Sequence, residues 1–138
     1  MSRVINPDSA GKERTQMIRA IVLAMRELMR LPETNDTARD LAAFIALTLD
    51  ATWETVDPSV QAWEKRGYWL KADRFRMDWM WAQKFGGVMR KAVLNDDWAT
   101  IAATLVQIGE KISNVKLPER HRLGTPWVGA WKVLKSQS

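Results

Sequence analysis

The 138-residue chain has no cysteine, which excludes disulfide frameworks, thiolate metal sites and cysteine nucleophiles together. It has one histidine, His121, so the paired Glu-x-x-His motifs of a bundle di-iron centre are out of its reach. A serine triad would have only that imidazole to draw on, and no nucleophile elbow occurs. Long apolar runs are also missing: the longest, Leu41 to Leu49, is about half a membrane span and includes Thr48. The opening residues, Met1 to Pro7, lack the apolar segment of a signal peptide. No stretch alternates with period two for long enough to make a strand. The expectation is a cytoplasmic protein with no membrane association, no metal or cofactor, and no catalytic residues.

What is present is a basic, tryptophan-heavy composition. Apolar residues make up 46% of the chain and charged residues 27%, enough for an ordinary core in one domain. Eight Trp stand against one Tyr and three Phe, and 21 Lys and Arg against 16 Asp and Glu. The resulting charge of +5 is uneven: residues 1–35 carry +2, 36–60 carry −4, 61–95 carry +5 and 96–138 carry +2. The third block also holds four of the Trp, two of the Phe and the Tyr. Cations that neutralise phosphates, interleaved with rings that accept unstacked bases, suit single-stranded nucleic acid.

Apolar spacing is helical nearly everywhere. A first helix is expected from Ser9 or Lys12 to Arg30, with Ile18, Ile21, Val22, Met25, Leu28 and Met29 as its stripe and Pro32 beyond its end. A second should open at Thr37, capped with Asp40, and run to about Val56. It is apolar on two faces, the second formed by Phe44, Leu47 and Ala51, so it should be central or lie at a subunit interface. Pro58 starts a further helical stretch that Gly67 either interrupts or sits within. From Tyr68 a heptad seam follows: Ala72, Phe75, Trp79, Ala82, Gly86, Met89 and Val93, with Ala82 and Gly86 small enough for close helix approach. A second stripe of Leu70, Met77, Trp81, Val88 and Ala92 suggests that this helix too is covered on two sides. Asn95 and Asp96 separate it from a helix built on Trp98, Ile101, Leu105, Ile108, Ile112 and Val115, with Thr100, Thr104 and Gln107 facing outward, that ends by Pro118. Thr125-Pro126 should start a short helix with Trp127, Trp131 and Leu134 on one side. The expected fold is all-α: a four-main-helix bundle over residues 8–117 and a short, basic C-terminal helical appendage over 118–138.

Three constellations compete for function. In the basic block, Trp69, Arg76, Gln83 and Arg90 recur every seven residues, with Lys84 and Lys91 on an adjacent line. Phe75, Trp79 and Trp81 fall on the apolar stripes and belong to packing, whereas Trp69 lies off both. The second is Arg120-His121-Arg122-Leu123-Gly124, where two Arg on a loop could grip phosphate. The third is acidic: Glu33 with Asp36, and Glu54 with Asp57, share an E-x-x-D spacing. That spacing loosely resembles the magnesium-holding pairs of helical nucleotide pyrophosphohydrolases, which makes an enzyme of that kind the least favoured reading. The first reading is a non-catalytic nucleic-acid binder that holds the phosphate backbone with limited sequence preference. Its contacts would be Arg66, Trp69, Lys71, Arg74, Arg76, Lys84, Arg90 and Lys91, with Arg120 and Arg122 as a second patch. The alternative is an assembly subunit that self-associates through Phe44, Leu47, Ala51 and Trp81.

Overall fold

The computed structural model describes residues 7–138; the opening segment, on which the expectation of no signal peptide rests, lies outside them but for Pro7. Among the described residues there are six helices and no strand: α1 (Pro7–Arg30), α2 (Asp36–Glu54), α3 (Val56–Lys65), α4 (Trp69–Leu94), α5 (Trp98–Lys111) and α6 (Ala130–Ser136). The four longest, α1, α2, α4 and α5, make the bundle, and α6 is the short C-terminal addition. No helix of the described residues is long and apolar enough to cross a membrane.

The two-faced helix is the central one. α2 packs against α1, α3, α4 and α6, and Leu41, Ala42, Ala43, Ile45, Ala46 and Leu49 on it are fully buried. Its many alanines let neighbours approach from both sides, while each fully buried Leu or Ile contributes about 1.5–3 kcal/mol. The two helices come close at Gly86 of α4, where a Cβ would lie 2.6 Å from a carboxylate oxygen of Asp50 and 3.3 Å from Cβ of Leu49. A side chain at Gly86 therefore requires the Asp50 carboxylate to move or the two helices to separate slightly.

Two caps differ from the expectation. Asn35, not Thr37, caps α2, its side-chain oxygen accepting the Ala38 N–H at 3.0 Å. That leaves Asp40 to a longer-range task. Its carboxylate accepts the N–H groups of Gly129 (3.3 Å) and Trp131 (2.9 Å), the orphan donors at the start of α6. α6 begins at Ala130, after a turn over residues 126–129, instead of at Pro126, because Gly129 at φ +83° interrupts any helix from Pro126. Leu134 is fully buried, Trp127 and Trp131 pack on the main core, and the Arg39 guanidinium lies 5.2 Å from the Trp131 ring.

Other details also shift. α5 ends at Lys111, although Ile112 just beyond it is still buried. Thr104 is buried rather than outward-facing, its hydroxyl satisfied by donation to the Thr100 carbonyl at 2.7 Å. On α1, Met29 is exposed while Leu23 is buried. The largest departure is on α4. Its first stripe is buried from Ala72 to Val93, with Phe75 and Trp79 half-buried within it. Of the second stripe only Ala92 is buried and Trp81 half-buried, while Leu70, Met77 and Val88 are exposed. Within the described chain that side is covered only at Trp81 and Ala92.

Candidate nucleic-acid interface

Helix α3 ends at a sharp corner. The Tyr68 N–H donates to the Trp63 carbonyl and the Gly67 N–H to the Glu64 carbonyl, both at 3.0 Å, which is the paired closure of a Schellman motif. Gly67 adopts φ +80°, a conformation a side chain would oppose. The chain turns directly into α4, leaving Tyr68 and Trp69 on the outside of the corner, 54% and 62% exposed. Lys65, Arg66, Lys71 and Arg74 flank these rings in the chain and are exposed as well. Among the described residues none of the four is ion-paired, and the Lys71 ammonium lies 5.6 Å from the Tyr68 ring centroid.

The tryptophan excess is mostly structural. Seven of the eight pack against one of the two hydrophobic clusters, and Trp69 is the exception. Along the buried side of α4 the rings run in sequence: Trp63 meets Phe75 edge-on at 5.1 Å, and Trp79 stacks with Trp81 at 5.8 Å. Arg14 of α1 lies over Phe75 (4.7 Å) and Trp79 (5.3 Å). Its Nη1 donates to the carbonyl (3.1 Å) and hydroxyl (3.0 Å) of Thr55, and burial lowers its pKa from the usual guanidinium value. These rings carry the fold.

The other expected contacts divide. Arg76 is paired with Asp73 at 3.4 Å within its own helix. Lys84 and Lys91 are exposed, but lie ten and seventeen residues beyond Arg74, roughly 15 and 25 Å along the axis. Arg90 is turned inward, ion-paired with Asp50 and hydrogen-bonded to Gln137 at 3.2 Å, so its charge is already answered. Gly86 brings the Asp50 carboxylate within reach, which spacing on α4 alone does not reveal.

Arg120 and Arg122 are exposed on a strap that crosses α1. Arg26 holds the strap through the Leu117 carbonyl (2.9 Å), Arg30 holds it through Glu119 (2.9 Å), and the His121 Nδ1 accepts the Leu123 N–H at 3.2 Å. Arg26 is twelve residues, ~18 Å, along α1 from Arg14, the residue that faces the α4 aromatics. The segment leading into the strap meets the α4 aromatics at Val115, which lines a pocket with Arg14, Phe75 and Trp79, and Arg120 and Arg122 follow Glu119, held by Arg30 further along α1. Phe44, Leu47 and Ala51 are half-buried and line an open apolar groove of about 520 Å³ with Met17, Leu123 and Val133, so their own chain covers them in part. Trp81, the fourth expected interface residue, is likewise engaged with Trp79.

The acidic pairs do not converge. Glu33 precedes α2 and Asp36 opens it, whereas Glu54 is its last residue and Asp57 lies in the first turn of α3, about 27 Å from Asp36 along the helix. Among the described residues no cluster of three or more metal-ligating side chains forms. Sequence spacing misses Tyr68, which it assigns to the buried seam, and Lys65. The signal that points to Tyr68 is Gly67, since a left-handed residue there ends α3 and places the next ring outside the seam. In comparison with known proteins, no family model, curated protein or solved structure matches this chain.

Proposed function

We propose that this chain is a small, non-catalytic, cytoplasmic binding domain whose partner is nucleic acid with unpaired bases, held at the α3–α4 corner. The observation that carries the reading is the exposure of Tyr68 and Trp69 together with Lys65, Arg66, Lys71 and Arg74 on either side of them in the chain, with the Lys71 ammonium over the Tyr68 ring. Two exposed rings on consecutive residues can accept unstacked bases, and four cations without carboxylate partners among the described residues suit the phosphates that join them. Phosphate contacts carry no base information, so the binding is expected to be tolerant of sequence. Arg76, Lys84 and Lys91 extend the positive field along α4 without sharing the ring platform.

The test is binding of fluorescently labelled single-stranded oligonucleotides, followed by anisotropy, with Tyr68→Ala and Trp69→Ala variants. Removing each stacking ring should cost roughly 1–3 kcal/mol, a five- to 150-fold weaker complex, with little change in salt dependence. Equal affinity in wild type and the double variant contradicts a stacking role.

A further inference from the structure

One face of α4 has no cover within the described chain. Leu70, Asp73, Met77, Met80, Lys84 and Gly87 recur along it in alternating steps of three and four, the spacing of a helix-pairing seam. All six are exposed, and Leu70, Met77 and Met80 keep 66%, 70% and 50% of their surface open to solvent. Large apolar side chains grouped this way mark a contact surface. At Gly87 an added Cβ would meet nothing within 4 Å, so no neighbour inside the chain requires a glycine there, although glycine weakens a helix.

We propose that the chain pairs with a second copy of itself through this face, the two α4 helices running antiparallel about a two-fold axis between residues 78 and 79. In that register Leu70 lies over Gly87 of the second copy, Met77 meets Met80, and Asp73 meets Lys84. The symmetry repeats each pair, as a self-complementary interface demands. A large residue opposite the vacant glycine position, and an anion opposite a cation, are the complementarity that selects this occupant. Parallel pairing would set Asp73 on Asp73 and Lys84 on Lys84. Sliding the antiparallel pair by one heptad puts Met80 on Lys84 or Met77 on Asp73. The Asp73–Arg76 ion pair lies within one exposed helix turn, where such pairs are weak, so it is a poor competitor.

This inference goes beyond nucleic-acid binding and stands without it. It places the exposed interface on α4 instead of on the α2 face with Phe44 and Leu47. It also sets Lys91 of each copy near the Arg66 corner of the other, extending the basic surface across the dimer.

Sedimentation equilibrium over a micromolar-to-millimolar series at low salt should show a monomer–dimer equilibrium. Asp73→Lys and Lys84→Asp should each raise the dissociation constant at least tenfold, and the combined swap should restore it. Because the chain has no cysteine, Leu70→Cys and Gly87→Cys variants give an independent register test. Mixed under oxidising conditions they should form the mixed disulfide in preference to either self-crosslink. A monomer throughout the series overturns the proposal. So does a dimer indifferent to the charge swaps, or self-crosslinks as abundant as the mixed product.

Discussion

At Gly86 the α2–α4 contact has no room for a methyl group unless its neighbours shift. A Cβ there collides with Asp50 and approaches Leu49 within the α2–α4 contact, whereas at Gly87, one residue on, it enters open space. Gly86→Ala should therefore destabilise the protein by roughly 1–3 kcal/mol, because the helices must separate or the Asp50 carboxylate must move. The same substitution at Gly87 should stabilise the dilute monomer by about 0.5–1 kcal/mol through helix propensity alone. Urea titration of both variants checks the pair, and opposite signs are the expected outcome. The close approach at Gly86 is legible in the sequence, since it lies on the seam with Ala82. The inward turn of Arg90 beside it is not. Spacing along α4 places Arg90 on the same line as Trp69, but its orientation is decided by Asp50 on another helix, 40 residues away in sequence.

Among the elements, α6 shows how a short helix is held to a bundle. Seven residues cannot sustain a helix alone. What anchors α6 is the burial of Leu134, the packing of Trp127 and Trp131, and the Asp40 carboxylate at its first N–H groups. Asp40→Ala leaves those donors without their acceptor, which should cost about 1–3 kcal/mol locally. Amide hydrogen exchange should then rise across residues 129–136 while the amides of α2 near Ile45 stay protected. Equal loosening of both segments would show instead that α6 unfolds only with the whole domain. Docking of the appendage through its two tryptophans follows from their spacing. The role of Asp40 does not, because an aspartate three residues after Thr37 reads naturally as part of a local cap. Asn35 takes the capping task, and only the folded arrangement brings Asp40 to Gly129. On α4, by contrast, two apolar stripes suggest two covered sides. α2 and α4 each pack against four other helices, but the longer α4 keeps part of one side open, because periodicity measures amphipathicity and says nothing of where along a helix its neighbours lie.

For the whole molecule the central claim is that the α3–α4 corner carries nucleic-acid binding. The basic block is legible in the sequence as charge interleaved with rings. Which of its members act together is not. Packing takes Trp63, Phe75, Trp79, Trp81 and Phe85 and leaves Tyr68 and Trp69, while ion pairing answers Arg76 and Arg90. That division makes the decisive measurement specific. Anisotropy of a labelled single strand is followed across a salt series for wild type, for Arg66→Gln/Lys71→Gln/Arg74→Gln, and for Arg120→Gln/Arg122→Gln. The first triple variant should bind more weakly to all sequences alike. Its salt dependence should be flatter by roughly two counterions, at about 0.7 for each phosphate no longer neutralised on a single strand. The strap variant should stay close to wild type. If wild type binds no oligonucleotide at low salt, or the strap variant loses affinity while the corner variant keeps it, the α3–α4 corner is not the nucleic-acid site.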